Sequence, residues 1–215
     1  MTLAFLAVPA LATEAHAQDT RSVTLRSLSD AVIGSYDQGR YYVGPYGFQV
    51  GSDPGSSLWD FYCVDFTRAV HRDETFEAHF TSLAGTDLSS TYKNSLSTYQ
   101  MAAYLTKKFD EVPEDQWGEL HAAIWRVTGE APTGGDASDP LVDDWVAEAE
   151  ANYGSVDSEY WTVVTDVSGD RQEFLTYTTP EPTSMLLLGT GLAGVAWFRR
   201  RRDGGVEVEG DDQLA

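Results

Sequence analysis

The chain has 215 residues, and its 34 acidic against 14 basic residues give a formal net charge of −20 at pH 7. Such a charge argues against nucleic acids and anionic lipid surfaces as partners, because both repel an acidic domain. Six Trp, eleven Tyr and nine Phe exclude a disordered chain, since disordered sequences are poor in aromatic residues. The single cysteine, Cys63, excludes an internal disulfide framework.

The N-terminal residues have the pattern of a secretion signal. Residues 3–12 form an apolar run, LAFLAVPALA. Ala15 and Ala17 then supply the small-x-small pattern that a signal peptidase cleaves, which leaves Gln18 as the new N-terminus. We therefore predict a signal peptide over residues 1–17, and the alternative is a buried strand or helix of the folded domain.

The next part of the chain has the patterns of short strands. Val, Thr, Tyr and Phe recur over residues 22–25, 40–43 and 47–50, and Gly-Pro and Asp-Pro-Gly turns punctuate this region. Residues 58–68 alternate large apolar and polar side chains, with aromatic residues on both faces. We expect this segment to be a central strand, and residues 75–83 to continue the sheet.

The middle of the chain predicts three helices. Apolar side chains follow helical spacing over residues 95–109 and again over residues 114–128, where His121 lies on the apolar stripe. Asp139 followed by Pro140 has the pattern of an N-cap and a first helical residue, so a third helix is expected to begin there.

Two more strands are predicted after the helices, at residues 160–166 and 173–178, with a Ser-Gly-Asp turn between them. Strands, then helices, then strands are typical of an α+β fold. We therefore expect residues 18–179 to form a β-rich sandwich or barrel-like domain with an inserted helical segment. Its 27 acidic and 10 basic residues leave a charge of −17, which suits a salty environment where ions screen the repulsion.

The C-terminal segment begins with Pro180, Glu181 and Pro182. Two prolines this close together fit neither a helix interior nor a central strand, so they end the domain. The uncharged run that follows spans about 21 Å as a helix, which is short of the roughly 30 Å hydrocarbon core. Flanking polar residues and snorkelling arginines are expected to cover part of the mismatch. We predict a single membrane helix over about residues 184–198.

A basic cluster follows the apolar run, and it consists of Arg199, Arg200, Arg201 and Arg202. Because such charge stays on the cytoplasmic side, the domain is expected to lie outside. The order of these three parts, over residues 180–202, resembles the PEP-CTERM sorting signal of Gram-negative bacteria. The resemblance implies recognition and cleavage by an exosortase. Residues 203–215 form an acidic tail that is expected to be disordered.

Two short motifs in the central domain resemble the thioester domains of bacterial surface adhesins. One is FYCVD at residues 61–65, and the other is LHAAIW at residues 120–125. In that family a Cys from the first motif and a Gln from the second form an internal thioester. Cys63 stands at the Cys position, whereas His121 stands where the family has Gln. The resemblance therefore implies the fold and the placement of Cys63, but no thioester, because an imidazole cannot supply the acyl group.

Cys63 and His121 are also the candidate residues of a cysteine hydrolase, in which a base activates the thiol. Asp60 or Asp65 would then orient the imidazole, provided that the fold brings them together. The alternative is a structural role, since a lone His on an apolar helix stripe and a lone Cys most often pack in a core. We expect the structural role for both residues.

A possible metal site involves acidic and histidine side chains that cluster in the sequence, namely His71, Asp73, Glu74, Glu77 and His79. Their carboxylates suit calcium better than the imidazoles suit zinc. Neither EF-hand nor zinc-finger spacing is present, so solvated acids are favoured. We predict neither a metal nor a cofactor.

The sequence thus predicts a non-enzymatic exported protein of the cell surface or extracellular matrix. It is expected to be anchored in the membrane by its C-terminal helix until an exosortase-type enzyme processes it. Its expected role is adhesion or interaction with exopolysaccharide in biofilms, without a nucleic-acid partner. The alternative is an envelope cysteine hydrolase that uses Cys63 and His121.

Overall fold

The computed structural model describes residues 19–37 and 39–178. The predicted signal peptide with its cleavage residues, the sorting signal with its membrane helix, and the acidic tail lie outside the described residues. Within the described ranges, no helix is long and apolar enough to cross a membrane.

The described part of the chain contains eight strands and three α-helices. The strands are β1 (Thr20–Ser27), β2 (Val32–Tyr36), β3 (Gly39–Val43), β4 (Pro45–Val50), β5 (Trp59–Cys63), β6 (Thr75–Ser82), β7 (Trp161–Asp166) and β8 (Phe174–Tyr177). The helices are α1 (Leu96–Lys107), α2 (Trp117–Val127) and α3 (Pro140–Asn152). All three helices lie between β6 and β7 in the sequence, which confirms the predicted β-rich domain with a helical insertion.

Six of the strands close into an antiparallel barrel in the order β1-β4-β5-β8-β7-β6, and β6 pairs back to β1. Closure leaves none of these six strands with a free edge. Phe48, Phe61 and Phe174 are fully buried and fill the interior, as a small barrel requires. The ring centroids of Phe48 and Phe61 are 4.6 Å apart, and that of Phe174 lies 5.0 Å from Phe48. Of the two predicted architectures, the structure therefore shows the barrel.

The remaining two strands, β2 and β3, form a hairpin of their own. It docks on the helical insertion, because Tyr36 Oη donates to the carbonyl of Gly118 at 2.5 Å. The amide of Ser35 also donates to the carboxylate of Asp136 at 2.9 Å. The sequence predicted β3 but missed β2, whose apolar pattern is interrupted by Gly34.

The starts of α1 and α3 follow from local capping. The side-chain oxygen of Ser95 accepts from the amide of Thr98 at 3.4 Å at the start of α1. The carboxylate of Asp139 accepts from the amide of Leu141 at 2.9 Å, and Pro140 is the first residue of α3. The third helix therefore begins where the sequence predicted, since an N-cap and a following proline act locally.

The predicted strand at residues 58–68 is wrong in its second half, because β5 ends at Cys63. Asp65 Oδ1 accepts from the amide of Thr67 at 3.0 Å and from its hydroxyl at 2.9 Å. Such a side-chain turn competes with strand pairing and bends the chain away. β5 itself pairs with β4 and β8, so its expected central position is confirmed.

Candidate functional site

β5 and α2 bring Cys63 and His121 together in the core, where both residues are 0% exposed. The amide of Gly44 donates to His121 Nδ1 at 3.1 Å. Because an amide can only donate, Nδ1 must be the acceptor and the ring proton must be on Nε2. Nε2 then donates to the carbonyl oxygen of Cys63 at 2.8 Å. Both ring nitrogens therefore bind backbone atoms.

Burial keeps both of these side chains uncharged at neutral pH. Desolvation lowers the pKa of His121 from 6.5 to about 4, against the opposing effect of its hydrogen bond to Cys63. Desolvation also raises the pKa of the Cys63 thiol from 9.0 to about 12. The thiol donates to the carbonyl oxygen of Asp65 at 3.1 Å. A nucleophilic cysteine needs a thiolate and a base that is free to take its proton, and this pair offers neither.

Neither of the two carboxylates that were considered as partners of the imidazole is hydrogen-bonded to it. Asp65 is fully buried, and its carboxylate accepts from Arg68 Nη1 at 2.7 Å. Asp60 is exposed and lines an acidic cleft of about 450 Å³, together with Lys107 and Asp110. Partial burial raises the pKa of Asp60, and nearby acids raise it further. The hydrogen bonds of the His121 ring go to Gly44 and Cys63 instead.

His121 and Thr128 tie α2 to the end of β5. The Thr128 hydroxyl donates to the carbonyl of Val64 at 2.9 Å, next to the Cys63 carbonyl that accepts from His121. Two successive buried carbonyls thus receive donors from α2 and from the residue that caps its C-terminus, which avoids the cost of leaving them unpaired. The helical pattern placed both side chains on the apolar stripe but gave no sign of these partners.

The sequence analysis missed a second buried polar centre around Glu173, which is 0% exposed. Its carboxylate accepts from the Tyr99 hydroxyl at 2.5 Å, the Thr165 hydroxyl at 2.7 Å and the Tyr92 amide at 2.8 Å. Burial is the largest cause of its raised pKa. No pattern around this position predicts a buried acid, because two of its three donors, Tyr92 and Tyr99, come from distant parts of the chain.

A recess of about 320 Å³ opens between the β2–β3 hairpin and the chain that follows β5. Trp125 is 1% exposed and is part of the lining. Its ring centroid lies 4.8 Å from that of Phe66, which also lines the recess, and 4.4 Å from that of His121. The recess and the Cys63–His121 centre therefore contact the same tryptophan.

A second recess, of about 570 Å³, adjoins the first. The residues that line both of them are Leu28, Tyr42, Val70 and His71. Arg40 lines the smaller recess, and Arg72 lines the larger one. We call the two recesses together the arginine groove.

Ion pairing separates the basic residues of the described ranges into two groups. The residues with a carboxylate oxygen within 4.0 Å are Arg21, Arg26, Arg68, Lys93, Lys108, Arg126 and Arg171. For the other three, Arg40, Arg72 and Lys107, no such pair is present among the described residues. Two of these three line the arginine groove, and Lys107 lines the separate acidic cleft.

Three of the five residues that were considered as metal ligands have other side-chain partners. Asp73 pairs with Arg26 at 3.1 Å, and Glu74 pairs with Arg171 at 2.7 Å. His79 Nδ1 is hydrogen-bonded to a threonine hydroxyl at 3.1 Å. In the part of the chain that the structure describes, no group of three or more His, Cys, Asp or Glu side chains is placed to hold a metal ion.

The C-terminal segment is where comparison with known proteins is informative. Residues 178–202 match the PEP-CTERM protein-sorting motif. The motif implies an exported protein that an exosortase-type enzyme recognises and sorts to the cell envelope. The match includes Pro180, Glu181, Pro182 and the four arginines, so the predicted resemblance of this segment is confirmed. No curated protein and no solved structure matches the chain, and the resemblance of the central domain to thioester domains stays a prediction.

Proposed function

We propose that this protein is held at the membrane by its C-terminal segment and then released by an exosortase-type enzyme to the cell surface or extracellular matrix. There, its barrel domain binds a ligand without catalysing a reaction. The observation that carries the proposal is the PEP-CTERM motif at residues 178–202. The apolar run and small-x-small pattern within residues 1–18 support export as well.

The Cys63–His121 centre argues against a cysteine hydrolase. Neither side chain reaches solvent, and each hydrogen-bonding nitrogen of the imidazole is occupied by the backbone. The cysteine hydrolase that the sequence left open would need both an accessible thiolate and a free base. We therefore assign the two residues a structural role, in which they connect β5 to α2.

The same contact supports the proposal that the domain is a thioester-domain-like fold that lacks the crosslink. His121 stands at the position of the family's Gln and lies within hydrogen-bonding distance of the Cys63 backbone. A Gln at this position would be close to the residue that carries the thiol. An imidazole has no acyl group to transfer, so the cysteine remains free.

Adhesion or exopolysaccharide binding is the role that we propose for the domain at the cell surface. Such a role needs an open surface with unused polar groups and exposed aromatic rings. The arginine groove has both, since Arg40 has no carboxylate partner in the part of the chain that the structure describes and Tyr42 is 47% exposed.

Replacement of Arg199, Arg200, Arg201 and Arg202 by Ser tests the sorting proposal. The loss of positive charge removes the signal that keeps this end of the chain in the cytoplasm. We expect the Ser variant to appear in the medium instead of the envelope, as measured by immunoblotting of fractionated cells and medium.

The matched control replaces the same four arginines by Lys, which keeps the charge. Retention of the Lys variant together with release of the Ser variant would assign the effect to the charge cluster. A Ser variant that stays in the envelope with its original orientation would contradict the proposal.

A further inference from the structure

We propose that the arginine groove binds the carboxylates of an acidic polysaccharide. Arg40 and Arg72 are its anion-binding side chains, and Tyr41 and Tyr42 are surfaces against which the sugar rings stack. This inference rests on the proposed function as an exported binding protein, and it names the ligand class of that protein's open surface.

Arg40 and Arg72 differ from most basic residues of the domain in their ion pairing. The described residues include 27 acidic and 10 basic side chains, so carboxylates outnumber the cations that they can pair with. Seven cations have such a partner, whereas these two arginines have none among the described residues. A guanidinium carries five N–H donors in a plane that matches a carboxylate in bidentate geometry. The unused donors therefore mark a place where an external carboxylate can bind.

Tyr41 and Tyr42 place apolar surface beside these donors. They are 39% and 47% exposed, and both line the smaller recess. The ring of Tyr41 packs on Phe66, with 5.0 Å between centroids, and Phe66 packs in turn on buried Trp125. A tyrosine that is held in this way offers a large contact area at little cost in conformational entropy. Such rings suit the flat apolar faces of pyranose sugars.

The division of the groove into two adjoining recesses favours a polymer over a single small anion. Arg40 and Arg72 line different recesses, and Tyr42 and His71 line both. A chain of acidic sugars can therefore present one carboxylate to each arginine while it crosses Tyr42. A single carboxylate would leave one of the two guanidinium groups unused.

The net negative charge of the domain limits the polyanions that can bind. Duplex DNA carries one charge per about 1.7 Å of its axis, and a domain with a charge of −17 repels so dense a polyanion. A polyuronate carries only one carboxylate per sugar. At an ionic strength of about 0.15 M the Debye length is about 8 Å, so distant acids are screened while contacts inside the groove persist.

Titration calorimetry of the full-length protein in detergent, with tetragalacturonate at about 0.15 M NaCl, tests the proposal. We expect saturable binding that is at least about tenfold tighter than the binding of neutral cellotetraose. Arg40→Gln and Arg72→Gln should each weaken the binding of tetragalacturonate about fivefold. Tyr42→Ala should also weaken it, because it removes stacking surface without changing the charge. Near-UV circular dichroism confirms that each variant is folded.

Lys107→Gln is the matched control, because it removes the same charge from the separate acidic cleft, at a cation that also has no ion pair among the described residues. Its affinity for tetragalacturonate should stay within about twofold of the wild-type value. If Lys107→Gln weakened tetragalacturonate binding as much as the two arginine variants, the effect would be general charge attraction. That result would overturn the proposal.

Two further outcomes would overturn the assignment of the ligand. Tetraglutamate that binds as tightly as tetragalacturonate would show that the groove does not select a polysaccharide. The absence of any tetragalacturonate binding would show that the groove is not a binding site for acidic polysaccharides. Sorting of the same variants, measured by cell fractionation, is expected to be unchanged, so failure of the groove is distinguishable from failure of the proposed function.

Discussion

The Cys63–His121 centre and the arginine groove both contact Trp125, yet they use their polar atoms in opposite ways. In the centre, the imidazole binds two backbone groups and the thiol donates to a third. In the groove, Arg40 and Arg72 have no carboxylate partner among the described residues and face an open recess. The centre contains the residue types that are most often catalytic, whereas the groove contains the unused hydrogen-bonding capacity.

This difference shows that residue type alone is a poor guide to the functional surface of the domain. A His or a Cys is unavailable for catalysis when its polar atoms are hydrogen-bonded to buried backbone groups. An arginine that stays unpaired in a domain rich in carboxylates is the more informative observation. Stability measurements can test whether the Cys63–His121 centre holds the fold together and whether the arginine groove contributes nothing to stability.

The largest expected effect is on stability when His121 is replaced by Phe. The substitution keeps an aromatic ring on α2 but leaves the amide of Gly44 and the carbonyl of Cys63 without their partner. Each buried unpaired group costs about 1 to 3 kcal/mol, so we expect the free energy of unfolding to fall by roughly 2 to 5 kcal/mol. Urea unfolding followed by circular dichroism measures this loss.

His121→Gln is the matched control, because its amide supplies both a donor and an acceptor. Its loss of unfolding free energy should be clearly smaller than that of the Phe variant. Intact mass must accompany the measurement, since closure of the amide on Cys63 would release ammonia and lower the mass by about 17 Da. Equal losses for the unmodified Gln variant and the Phe variant would contradict a hydrogen-bonding role for His121.

The second expected effect is a loss of stability at acid pH that is caused by His121. The folded-state pKa of about 4 lies below the ordinary value of 6.5, so folding favours the neutral ring. The stabilisation is present above pH 6.5 and is lost as the pH falls from 6.5 towards 4, by roughly 3 kcal/mol in total. Unfolding free energies measured at steps across this range test the slope.

Glu173 has the opposite effect on the pH dependence of the unfolding free energy, so its contribution must be measured separately from that of His121. Burial raises its folded-state pKa above 4.5, so its contribution is greatest below pH 4.5 and is lost as the pH rises through the folded-state value. His121→Gln should flatten the acid slope, whereas Glu173→Gln should steepen it. An unchanged slope in the unmodified His121→Gln protein would show that other groups cause the acid sensitivity.

The smallest expected effect is on stability when the groove arginines are replaced. Arg40→Gln and Arg72→Gln remove no ion pair among the described residues, so each should change the free energy of unfolding by less than about 0.5 kcal/mol. Arg68→Gln is the contrast, because it leaves the fully buried carboxylate of Asp65 without its cation and should cost roughly 1 to 3 kcal/mol. A large loss in the Arg40 or Arg72 variant would show that the groove is part of the structural framework.

Several elements of the fold followed from local patterns in the sequence. The start of α3 was predicted from Asp139 and Pro140, because a cap and a proline act within one turn. The strand β2 was missed, since Gly34 breaks its apolar pattern. The last five residues of the predicted strand at 58–68 were assigned wrongly, because the side chain of Asp65 forms a turn that alternation of polarity does not reveal.

By itself, the sequence determined the acidic charge, the succession of strands, then helices, then strands (without β2), and the sorting motif. It also singled out Cys63 and His121 as a candidate pair, because each of these depends on composition or short patterns. Only the tertiary structure decided that the sheet closes into a barrel and that Glu173 is buried. It also decided that Arg68 pairs with a carboxylate while Arg40 and Arg72 have no such partner within residues 19–37 and 39–178. Closure, burial and ion pairing depend on which distant segments meet, and the polarity of a residue's neighbours in the chain does not contain that information.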